Sequence, residues 1–141
     1  MSDGFSAEER AAMKERAAEL RAEGKKGAKR ANGLQQVLDK IAEFEPADRE
    51  LAERLHVLVS AVAPDLGCKT WYGMPAYTNA DGKIVVFFRD AAKFKSRYAT
   101  VGFEEAAQLD DGEFWPTSYA LLDWTPAVEK KLTDLVRRAV G

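Results

Sequence analysis

Between residues 69 and 123 the chain carries several β-prone segments and no helical segment long enough to return the chain across a sheet. Parallel neighbours need a crossover of a dozen or more residues, usually a helix, so strands clustered this closely must pair antiparallel. The aromatic-rich run at 69–78 leads through Asn79-Ala80-Asp81-Gly82, a turn signal, into the apolar run at 83–89, and the two together read as a β-hairpin. Residues 97–101 and 119–123 are further strand candidates, with a short helix expected near 103–108 and a turn at Asp110-Asp111-Gly112 between them.

Helical patterns flank this block. Leu34, Val37, Leu38, Ile41 and Phe44 recur at spacings of three and four, which predicts an amphipathic helix; Pro46 interrupts it. Leu51, Leu55, Leu58, Val59 and Val62 repeat the spacing up to Pro64, so a second helix is expected over 46–63. Thr125 before Pro126 fits an N-cap followed by a first-turn proline, and Leu132, Leu135, Val136 and Ala139 give a C-terminal helix its apolar stripe. The expected fold is α+β in two layers, a small antiparallel sheet packed with N-terminal helices and a C-terminal helix. Upstream, Ser6 and Glu9 stand at capping-box spacing and open a helix expected over 7–23, with a thin stripe of Met13, Ala17 and Leu20. Three glycines and Lys25, Lys26, Lys29 and Arg30 make residues 24–33 read as a flexible basic linker. The chain thus divides into an N-terminal helix and linker, 1–33, and an α+β domain, 34–141.

A length of 141 residues, 46% of them apolar, gives room for one hydrophobic core. One cysteine and one histidine exclude an internal disulfide and the Cys₄ and Cys₂His₂ zinc sites. A net charge of −2 argues against a protein that coats nucleic acid. The N-terminal residues lack the apolar core of a signal peptide, and no run approaches the roughly 20 apolar residues of a membrane span. The expectation is a cytoplasmic protein with no membrane partner.

The segments Trp71-Tyr72-Gly73-Met74-Pro75-Ala76-Tyr77, Gly82-Lys83-Ile84-Val85-Val86-Phe87-Phe88, Lys93-Phe94 and Val101-Gly102-Phe103 occur in that order. In this combination the chain resembles the YdhG-like family over about residues 34–140. The resemblance implies a relative of the frataxin (CyaY) and YjbR group, with helices covering a small antiparallel sheet. It also implies a non-enzymatic role, since some members are described as iron chaperones, with iron(II) or another divalent ion as the ion carried. No ligand transfers residue by residue, because the iron-binding surface of frataxin is an acidic ridge and not a fixed motif.

Two acidic clusters are the candidates for such an ion: Glu43, Glu45 and Asp48, with Glu50 and Glu53 close by, at the junction of the first two core helices, and Asp110, Asp111 and Glu113, following Glu104 and Glu105, around a turn. Hard divalent cations accept several carboxylate oxygens and relieve the repulsion between them. The same residues equally serve as helix-start and turn residues on a solvated surface. His56 lies at the edge of a helix's apolar stripe, and Cys68 stands beside Lys69, whose charge favours a thiolate; neither has the partners of a catalytic dyad. The other candidate surface is aromatic. Read as one strand, 71–77 places Trp71, Gly73, Pro75 and Tyr77 on one face and Tyr72, Met74 and Ala76 on the other. A face left uncovered beside Lys93, Lys95 and Arg97, with Trp115 further along, suits a protein, a small anion or a single-stranded nucleic acid through stacking plus charge. Gly73 and Pro75 within a strand suggest a bulge or an edge, and a bare edge would pair two copies into a homodimer where a covered one leaves a monomer.

Overall fold

The computed structural model describes residues 9–14 and 25–141. Residues 9–14 are helical (α1); the remainder of the helix expected over 7–23 lies outside the described residues. Next come α2 (Lys25–Glu43), α3 (Pro46–Val62), β1 (Gly67–Trp71), β2 (Met74–Thr78), β3 (Ile84–Arg89), β4 (Ala99–Phe103), β5 (Ser118–Leu121) and α4 (Pro126–Val140), with a 3₁₀ turn at Ala92–Phe94. The fold is α+β: one antiparallel sheet of five strands in sequential order, with α2, α3 and α4 packed into a single core on one face.

Local chemistry sets the helix ends. Pro46 occupies the first turn of α3, where its missing N–H costs nothing, and the helix closes with the Ala63 N–H donating to the Val59 carbonyl just before Pro64. Thr125 caps α4, its hydroxyl accepting the Val128 N–H at 3.2 Å.

Helix α2 begins at Lys25 and runs through Gly33 unbroken, so residues 25–33 of the linker expected at 24–33 are helical, and residue 24 lies outside the described residues. Glycine weakens a helix interior, yet at position 33 it is required: a Cβ there would overlap the Cys68 carbonyl oxygen of β1. Gly33 lets helix and strand touch. The segment expected as a short helix at 103–108 is instead the end of β4 followed by a turn, closed by the Ala107 N–H on the Glu104 carbonyl.

The main correction falls in the aromatic run, which is two strands and not one. Trp71 pairs with Met74, and Tyr72 and Gly73 between them have φ of 51° and 77°. Two positive φ values make a two-residue turn of the type whose twist matches a hairpin. The faces therefore differ from a single-strand reading: Trp71 and Met74 share one side, whereas Cys68, Pro75 and Tyr77 share the other. The expected bulge is also displaced, to the β2–β3 ladder at Tyr77/Thr78. Pro75 is tolerated because it lies beyond the last β2–β3 pair, Ala76 with Phe87, so its missing N–H leaves no gap in that ladder.

Pairing across the five strands then separates two faces. Tyr77, Val86 and Phe103 form one row and Phe88, Val101 and Tyr119 the next, all turned toward the helices. On the reverse side run Lys69, Ala76, Phe87, Gly102 and Ser118, beside Trp71, Met74, Arg89, Thr100 and Ala120, and no described helix covers them.

Candidate functional site

The open face is aromatic and basic at the end where the Tyr72–Gly73 turn lies. Phe87 rests over Gly102, where a Cβ would overlap its ring, and Trp71 meets Phe87 edge-on with centroids 5.3 Å apart. Tyr72 continues the row, tilted against Trp71 at 5.6 Å and 80% exposed. Its left-handed backbone costs a non-glycine residue on the order of 1 kcal/mol, which the hairpin sustains and which holds the ring out in solvent. Just beyond β3, the Phe94 ring has two cations near it, the Arg89 guanidinium at 5.4 Å and the Lys93 ammonium at 5.5 Å from its centroid. Lys93 also reaches Gly73, its Nζ 3.2 Å from where a Cβ would stand. The 3₁₀ turn and the hairpin turn are thus neighbours.

Much of the expected binding set is brought together here: Trp71, Tyr72, Met74 and Lys93 share this end of the open face. Lys95 and Arg97 follow on the exposed loop, with Arg97 over the Tyr98 ring at 5.4 Å. Pro75 and Tyr77 face the core instead. Trp115 stands apart, beside the Phe103 end of the sheet, where it lines a cavity of about 370 Å³ with Glu104, Glu105 and Asp110. Arg89, Phe87 and Phe94 complete the group, and the period-two alternation of β3 places Phe87 and Arg89 on one side.

The surface is held from behind. Asp48, in the first turn of α3, is 5% exposed and accepts the Ala91 N–H at 3.1 Å and the Ala92 N–H at 3.0 Å. Asp90 accepts the Lys93 N–H at 3.2 Å. Two buried carboxylates thus fix the segment that presents Lys93 and Phe94, and Asp48 is an anchor for a loop where a metal ligand was expected. Glu43 is exposed and pairs with Lys40 at 3.3 Å, Glu45 is exposed ahead of α3, and Asp110, Asp111 and Glu113 lie exposed on a loop. Among the described residues no three His, Cys, Asp or Glu side chains converge as a metal site.

His56 and Cys68 both lie on the covered side. His56 Nδ1 and the Tyr77 hydroxyl are 2.8 Å apart and enclosed by the core. Burial lowers the imidazole pKa to about 4, so His56 is neutral at pH 7, and it raises the phenol of Tyr77 well above 10. Burial likewise pushes the Cys68 thiol up to about 12, a rise that nearby Arg30 only partly offsets. Lys69, the neighbour expected to activate Cys68, points to the opposite face. A protonated thiol in this setting is not a nucleophile.

No described helix is long and apolar enough to cross a membrane. No family model, no curated protein and no solved structure matches the chain.

Proposed function

We propose that this protein is a non-enzymatic binding module that takes a small anionic ligand bearing a flat ring, of mononucleotide size, on the open face of its sheet. The observation that carries this reading is one cluster: the Trp71, Tyr72, Phe87 and Phe94 rings together with Arg89 and Lys93, on a face that no described helix covers. Rings supply stacking, cations supply the charge a phosphate seeks, and Asp90, the one acidic residue between positions 83 and 103, is buried at 7% exposure and bonded to the loop backbone. The net charge of −2 is therefore compatible with a local positive surface.

The iron-carrier role implied by the YdhG-like resemblance draws less support, since Asp48 is committed to backbone N–H groups and Glu43 to Lys40. Calorimetric titration with adenosine monophosphate tests the proposal. Saturable binding is expected, weakened by about tenfold in Lys93→Ala and in Trp71→Ala, and weakened similarly when adenosine replaces the nucleotide. Absence of binding, or affinity unchanged in both variants, overturns it.

A further inference from the structure

A second concavity lies on the other side of the molecule, between α2, the end of α3 and β1, with a volume of about 340 Å³. Leu34, Val59 and Leu66 give it apolar walls, and Tyr77 and Cys68 close it toward the sheet. Arg30 and Ser60, both exposed, stand at its rim. Among the described residues Arg30 has no ion-pair partner, and its charge is felt at Cys68 inside.

We propose that this cavity binds a small monocarboxylate with an aliphatic body, its carboxylate paired with Arg30 and its chain against Leu34, Val59 and Leu66. A guanidinium presents N–H donors in the fork that fits a carboxylate, and a single positive charge matches a single negative one. At the roughly 30 Å³ that a molecule occupies in liquid water, the volume holds on the order of ten non-hydrogen atoms, the size of a six-carbon acid. An apolar hollow with a few convergent polar groups is the usual form of a small-molecule site. The floor is chemically quiet. The thiol of Cys68 is protonated, and the Tyr77 hydroxyl is occupied by His56, so the site holds its ligand without reacting with it.

The test uses the full chain, titrated with sodium hexanoate and followed through its amide NMR signals. Saturable shifts confined to the surroundings of Arg30, Leu34, Leu66 and Cys68 are expected, together with at least about a tenfold loss of affinity in Arg30→Gln. Hexylamine, with the same chain and opposite charge, is expected to give no saturable shift, a comparison that requires no variant to fold. Ser60→Trp, at an exposed rim position, places an indole across the entrance and should abolish the hexanoate shifts without changing the melting temperature. Equal binding by wild type and Arg30→Gln, matching shifts with hexylamine, or shifts scattered over the surface would overturn the assignment.

Discussion

Phe87 and Phe88 are adjacent in β3 and live in different environments. Phe88 is 1% exposed, pairs across the sheet with Val101 and meets Phe44, just past the end of α2, at 5.8 Å between centroids. Phe87 is half-buried on the reverse side, leaning on Gly102 and on the edge of Trp71. Composition does not separate the two faces, since both are rich in aromatic residues. What separates them is the company the rings keep: helices and aliphatic side chains on one side, Arg89 and Lys93 on the other. A ring enclosed by helices serves the core, whereas a ring beside cations at a solvent boundary has a free surface to offer.

Truncation separates the two rings by the largest margin. Phe88→Ala should cost about 3–5 kcal/mol, the range for a fully enclosed phenylalanine, and Phe87→Ala about 1 kcal/mol. Urea unfolding measures both, and equal costs would mean that the reverse face is as covered as the core. A second effect belongs to the covered face alone. The folded protein keeps His56 neutral down to about pH 4, whereas the unfolded chain takes up that proton near pH 6.5. Stability due to this group is therefore complete above pH 6.5 and declines as pH falls to about 4, by on the order of 3 kcal/mol, then levels off. His56→Gln should remove that slope; wild type and variant with parallel pH profiles would show that His56 is not held neutral. The smallest effect on stability belongs to the open face. Gly102→Ala pushes the Phe87 ring off its seat and should cost about 1 kcal/mol in unfolding while lowering affinity for adenosine monophosphate about tenfold. A variant as unstable as Phe88→Ala would show that the ring is clamped.

The sequence was most legible where local chemistry decides. Pro46 and the Thr125-Pro126 pair mark the starts of α3 and α4, and strands without crossovers dictate an antiparallel sheet. It was least legible where a residue's reason lies in a distant segment. Gly33 looks like a helix breaker until β1 is seen against it, and Tyr72 gives no local sign of adopting a left-handed backbone. That one missed turn inverted the assignment of faces, because a strand's side chains alternate and a hairpin folds the alternation back. Within the candidate site, the Trp71 and Lys93 neighbourhoods were readable as types of residue. Their closeness was not, since it depends on Asp48, 43 positions from Ala91 in the chain, holding the 3₁₀ turn in place. Asp48 itself illustrates the limit of composition: an acidic residue in an acidic run reads as a metal ligand or a solvated charge, and only tertiary structure shows its oxygens bonded to backbone N–H groups.

Intermolecular NOEs from bound adenosine monophosphate would show whether the reverse face of the sheet is a ligand surface. Contacts are expected from the adenine protons to the rings of Trp71, Tyr72 and Phe87, and none to Phe88 or Tyr77. Contacts to the cavity beside Arg30 or to Trp115, or no bound state at all, would contradict it.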